Sequence, residues 1–99
     1  MLFYDSVGPN PRVVRMFAAE RGAALPSTRI DLRAGENRLA PYLAKNPSGQ
    51  MPCLELDDGM VLAEITAICE YLDEIGPAGK TLIGRTPQEG AETRRWVRR

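Results

Sequence analysis

Any chemistry this chain performs is done without histidine, because its 99 residues contain none. That excludes Ser-His-Asp and Cys-His nucleophilic catalysis within the chain and any His-ligated metal site. Two cysteines without histidine do not make a zinc site, so no metal is expected. What remains are hydroxyls, amides, carboxylates and a nucleophile borrowed from a ligand. Near the start, Tyr4 and Ser6 offer hydroxyls and Asn10 an amide. Each also has a plain reading: Tyr4 as a strand aromatic in the core, Ser6 as a turn residue, Asn10 as the N-cap of the first helix. Glu64 stands where a later helix begins, and an acid there favours the helix dipole. Cys53 and Cys69 fall on apolar faces and read as small buried hydrophobes, not nucleophiles.

The elements that must position these groups follow from turn signals and periodicity. Leu2–Asp5 reads as a strand, broken by the turn formers Ser6-Val7-Gly8-Pro9-Asn10-Pro11. With Asn10 as N-cap and Pro11 in the first helical position, Val13, Val14, Phe17 and Ala18 recur at helical spacing until Gly22. Thr28 to Leu32 alternates polar and apolar, which predicts a second strand and a right-handed parallel βαβ opening. A short helix opened by Pro41 ends at Asn46-Pro47-Ser48-Gly49. Residues 53–57 and 60–62 flank Asp58-Gly59, which predicts a two-residue hairpin. The helix from about Glu64 to Ile75 carries Ile65, Ile68, Cys69, Leu72 and Ile75 on one stripe. After a Gly-Pro-rich linker, Thr86-Pro87-Gln88-Glu89 has capping-box form and opens a helix running to Arg99.

Composition narrows the setting. Thirteen basic residues against thirteen acidic ones give zero formal charge, which argues against a nucleic-acid or membrane-surface binder. Hydrophobic residues make up 43% of the chain, too many for intrinsic disorder. No apolar run approaches the roughly 18–20 residues that span a bilayer. No signal peptide is read at the N-terminus, and two cysteines are too few for a disulfide scaffold, so a reducing cytoplasm is the expected location.

The element order is that of the thioredoxin-like fold, and three segments narrow it further. They are Asn46-Pro47-Ser48-Gly49-Gln50-Met51-Pro52, Leu54-Glu55-Leu56-Asp57-Asp58-Gly59, and the stretch from Leu62 through Glu64-Ile65-Thr66 to Leu72. Together with Arg12-Val13-Val14-Arg15 and Ala19-Glu20-Arg21-Gly22, this block resembles the N-terminal domain of cytosolic glutathione transferases over about residues 1–83. The resemblance implies an α/β, thioredoxin-like βαβ-αββα domain with a mixed four-stranded sheet over residues 1–76. A linker (77–85) and the first part of an all-helical second domain (86–99) would follow. It implies glutathione as co-substrate, a small electrophile as second substrate, a detoxifying conjugation, and a homodimer when the chain is complete.

By the same resemblance, Met51 offers its backbone to the cysteinyl part of glutathione, beside Gln50 and a cis Pro52 that would otherwise read as a strand-edge proline. The helix start at Glu64 and Ile65 suits the γ-glutamyl end: N–H groups for its carboxylate, the Glu64 carboxylate for its ammonium. Asn37 and Arg38 match positions that grip the glycyl carboxylate in some classes, and equally fit a solvated helix face. The sequence departs from the family twice. Gly8 stands where serine or cysteine activates the thiol in some classes, and Ile65 where a serine hydroxyl usually follows the acid. Losing one hydrogen bond to a charged group costs about 1.5–3 kcal/mol. Asn10, Tyr4 and Ser6 are the candidates to activate the thiol in place of Gly8. Shifting a thiol from about 8.5 down by two units requires about 2.7 kcal/mol.

Two functions follow: a glutathione transferase-type domain presenting the thiolate to electrophiles, or a non-catalytic glutathione-binding or protein-interaction module of the same fold. A glutaredoxin-like oxidoreductase would need a cysteine between Ser6 and Pro11, and none is there. Trp96 among the arginines of the last helix is expected to mark a face that further helices cover, in a chain continuing past Arg99.

Overall fold

Four strands form one sheet in the order β2-β1-β3-β4. β1 (Leu2–Asp5) runs parallel to β2 (Ser27–Arg29) through the crossover helix α1 (Pro9–Arg21). It runs antiparallel to β3 (Cys53–Glu55), which pairs antiparallel with β4 (Val61–Ala63). A 3-10 turn over Glu36–Arg38 leads into α2 (Ala40–Leu43), and α3 (Ile65–Ile75) and α4 (Pro87–Val97) follow β4. This is the mixed, thioredoxin-like arrangement expected from the element order. The computed structural model describes residues 1–77, 79 and 81–97, so the last two residues of the predicted final helix, Arg98 and Arg99, lie outside it.

Side-chain alternation along the strands divides the molecule into layers. Phe3 pairs with Leu54, and both are fully buried against Val14 and Ala18 of α1 and Ile68 and Leu72 of α3. Their neighbours Tyr4 and Cys53 point to the opposite face, where Tyr42 of α2 and Ile30 complete a second, smaller cluster. The Tyr4 and Tyr42 rings meet edge-to-face at 5.8 Å.

Three local expectations are corrected. Asn10 is not the N-cap: α1 begins at Pro9 behind Gly8, and no side chain caps it. With prolines at both Pro9 and Pro11, the first turn has fewer N–H groups needing a cap. β2 stops at Arg29 instead of Leu32. Although the Ile30 N–H still donates to the Asp5 carbonyl at 2.8 Å, Asp31 turns the chain by accepting the N–H groups of Arg33 and Ala34 at 3.0 and 3.2 Å. The hairpin loop holds three residues rather than two. The Leu56 N–H donates to the Met60 carbonyl at 2.7 Å, and the Met60 N–H turns to the Asp58 carboxylate at 2.9 Å. The capping box at α4 is formed as read: the Glu89 N–H donates to the Thr86 hydroxyl (3.1 Å) and the Thr86 N–H to the Glu89 carboxylate (3.2 Å).

Candidate functional site

A groove of about 150 Å³ opens where the N-terminal ends of α1 and α3 approach the turn before β3. Six of the predicted site residues line it: Asn10, Gln50, Met51, Pro52, Glu64 and Ile65. Asn46, Ser48 and Ala63 complete the wall.

The turn is built around the carbonyl of Gln50. It accepts the Tyr42 hydroxyl at 2.6 Å and the Asn46 amide at 2.9 Å. Burial first, and then Cys53, push the Tyr42 pKa well above the usual phenol value, so this hydroxyl keeps its proton and remains a donor. Ser48 donates to Asn46 at 3.0 Å and accepts the Gln50 N–H at 3.3 Å. Asn37 donates to the Gly49 carbonyl at 2.8 Å from the other side. These bonds fix the segment that precedes Met51, and the Met51–Pro52 bond is cis, as the resemblance implied. Neither the amide nor the carbonyl of Met51 has a partner among the described residues, so both can pair with an extended peptide as a neighbouring strand would.

Across the groove, Glu64 precedes α3 with φ at 73° and ψ at 124°, the one non-glycine residue with positive φ among those described. Such a conformation costs on the order of 1–3 kcal/mol and persists where the surroundings enforce it. The Glu64 carbonyl accepts the Ile68 N–H at 3.1 Å, which leaves the N–H groups of Ile65, Thr66 and Ala67 without helical partners. With no side-chain cap, these donors stand free beside the exposed Glu64 carboxylate, at the helix end whose dipole favours negative charge. At the third corner is Asn10, exposed and with no side-chain hydrogen bond among the described residues.

The remaining predicted residues lie outside the groove wall. The Tyr4 hydroxyl donates to Glu55 at 2.9 Å, and Lys45 binds the other oxygen of that carboxylate at 3.0 Å. Burial, then Glu55, raise the Tyr4 pKa above its ordinary value. Ser6 is buried and donates to the Val7 carbonyl at 3.2 Å. Asn37 acts on the groove through Gly49, and Arg38 is exposed. Burial pushes the Cys69 thiol up to about 11 and raises that of Cys53, in keeping with their reading as inert hydrophobes. No group of three or more metal-ligating side chains occurs among the described residues, and no helix there is long and apolar enough to cross a membrane. The sequence reading missed Tyr42 and Asn46 as supports of the turn. Asn46 was visible only as the end of a helix, and nothing local marked Tyr42.

Residues 7–75 match the family described as glutathione S-transferase, N-terminal domain. The chain belongs to the glutathione S-transferase family. Glutathione S-transferase 2 of Saccharomyces cerevisiae is 46% identical over 92 residues, 90% of this chain and 39% of the yeast protein. A glutathione S-transferase domain-containing protein of Marinobacter aquaeolei superposes with a TM-score of 0.88 at 41% identity, covering 96% of this chain and 47% of that one. A glutathione transferase homologue from Sulfitobacter, solved with bound glutathione, superposes with a TM-score of 0.87 at 28% identity, over 98% of this chain and 46% of that one. The chain therefore spans less than half the length of these glutathione S-transferase relatives.

Proposed function

We propose that this chain is the glutathione site of a transferase. It binds glutathione in the groove and presents the thiolate to a small electrophile. The observation that carries this reading is the meeting, in one groove, of the unpaired Met51 backbone and the uncapped start of α3. Met51 pairs with the cysteinyl residue. The N–H groups of Ile65 and Thr66 take the γ-glutamyl carboxylate, and Glu64 its ammonium. Asn10 donates to the sulfur. The thiolate attacks the electrophilic carbon, a sulfur–carbon bond forms, and the leaving group departs with its electron pair. The family match and the glutathione-bound relative support this reading. Residues 86–99 begin the second, helical domain, and the complete protein is a cytoplasmic homodimer.

A second reading, a glutathione-binding module without useful turnover, is favoured by the missing hydroxyls at Gly8 and Ile65. Calorimetric titration with glutathione separates binding from its absence, and a conjugation assay with 1-chloro-2,4-dinitrobenzene separates the two readings. We expect weak binding, with Glu64→Ala lowering affinity about tenfold or more, as loss of a charge-assisted contact implies. No heat at millimolar glutathione would overturn both readings, and binding without turnover would select the module.

A further inference from the structure

We propose that the electrophile this domain accepts carries an anionic group on an apolar body, held by Arg12, Arg29 and Arg33 beside the turn between β1 and α1; this rests on the transferase reading and names its second substrate. Two solvent-open hollows, of about 650 and 440 Å³, lie beside that turn and share Val7 and Arg29. Gly8 and Pro9 line the larger hollow, and the next residue in the chain, Asn10, lines the proposed glutathione groove. An electrophile lying there would be next to the sulfur that Asn10 receives.

The lining has two characters. Arg12, Arg15 and Arg29 border the first hollow, and Arg29 and Arg33 the second, in a chain whose overall charge is zero. Three nearby carboxylates are already engaged, that of Asp31 in the lining of the second hollow and those of Asp5 and Glu36, the last accepting the Asp31 N–H at 2.7 Å. Asp5, opposite Arg29 in the strand register, pairs with Arg15, and Asp31 accepts the backbone N–H groups of Arg33 and Ala34. Arg12, Arg29 and Arg33 have no carboxylate partner among the described residues. Their guanidinium groups have no acceptor in place, and a carboxylate is the group a planar fork of donors fits best. Between them, Val7 is 56% exposed and Met16 58%, apolar surface that a purely ionic ligand would leave uncovered. Charge and apolar surface in one hollow select a molecule having both, such as an arene carboxylate.

The test titrates this chain by calorimetry with three unreactive probes: 3,5-dinitrobenzoate, 1,3-dinitrobenzene and acetate. Dinitrobenzoate should bind about tenfold more tightly than either of the others, the scale of one or two charge-assisted contacts. Replacing Arg29→Gln and Arg33→Gln together should remove that advantage and leave glutathione affinity unchanged; both side chains are exposed, so folding is not at issue. Equal binding of dinitrobenzoate and dinitrobenzene would overturn the role of charge. Equal binding of acetate would overturn the apolar part, and absence of dinitrobenzoate binding would overturn the whole. Glutathione titrated in parallel separates the two claims. If it binds and dinitrobenzoate does not, this inference fails alone; if dinitrobenzoate binds through the arginines and glutathione does not, the transferase reading fails.

Discussion

The proposed thiol-activating role has three candidate side chains, and their surroundings differ. The Tyr4 hydroxyl is committed as a donor to Glu55, on the α2 face of the sheet, and Ser6 is buried with its hydroxyl turned to a backbone carbonyl. Gly8 sits at φ 120° and ψ 171°, a region open essentially to glycine alone, although a Cβ would meet nothing within 4 Å. The vacancy at that position is therefore set by the backbone and not by crowding. Asn10 alone of the three candidates lines the groove with its amide unengaged. Because it caps nothing, Asn10→Ala should change stability by no more than about 0.5 kcal/mol, while raising the pKa of bound glutathione and reducing the thiolate present at neutral pH. Thiolate absorbance against pH, with a denaturant melt of the same variant, checks both halves. An unshifted titration would remove Asn10 from the chemistry.

At the scale of elements, α1, α3 and the chain beyond them are locked by one buried ion pair. Arg21, in the last turn of α1, donates from Nε to the Asp73 carboxylate at 2.9 Å. From one Nη it donates to the carbonyls of Asp73 and Pro77, both at 2.8 Å. Asp73 also receives the Thr81 hydroxyl and, at 2.7 Å, the Leu82 N–H. Gly76 allows this arrangement, since a Cβ there would lie 2.6 Å from the guanidinium carbon. Burial opposes ionisation of Asp73, but Thr81, Leu82 and Arg21 together outweigh it and hold its pKa below the ordinary 3.8. A carboxyl depressed on folding stabilises the fold above its unfolded pKa and loses that contribution as pH falls through the folded value. Asp73→Ala should therefore cost about 3–5 kcal/mol at neutral pH, because it strands the buried guanidinium. The gap from the parent should narrow in acid below about pH 4, where the parent also loses its charge. Denaturant melts of both proteins across pH measure it, and a difference under about 1 kcal/mol at pH 7 would show the clasp to be incidental.

Over the whole molecule, α4 is the loosely seated part. It rests on an ion pair between Arg94 and Glu70 and, with α1 and α3, frames an apolar hollow of about 370 Å³ that includes Val13, Phe17, Cys69, Leu82 and Val97. Trp96 is 59% exposed; its Nε1 donates to Glu92 at 3.0 Å, and Arg95 lies 5.2 Å from the centre of its ring. Contacts within one helix surface of this kind contribute only a few tenths of a kcal/mol, or up to about 1 for the cation over the ring. Trp96 fluorescence in the 99-residue chain should accordingly peak at long wavelength and be readily quenched by acrylamide. A blue-shifted, protected emission from a monomer would contradict the exposed placement of the helix end.

Much of this was legible from local chemistry. The turn formers after β1, the alternation in the strands, the apolar stripe of α3 and the Thr86–Glu89 capping box each act over a few residues, so the sequence by itself determined the element order and, with the resemblance, the thioredoxin-like fold. Boundaries that turn on competing local choices, each with its own plausible signal, were not legible: Gly8 took the cap position from Asn10, Asp31 cut β2 short by binding backbone two and three residues on, and Asp58 widened the hairpin by binding the Met60 N–H. The gathering of the site was likewise a matter of tertiary structure. Tyr4 and Asn10 stand six residues apart with similar claims as donors, but the pleat turns Tyr4 to the α2 face while α1 carries Asn10 to the groove. Arg21 and Asp73, 52 residues apart, show nothing of their pairing until α1 and α3 pack side by side. Patterns of a few residues are enforced by local sterics and hydrogen bonds, whereas partners brought together by the core depend on the path of the whole chain.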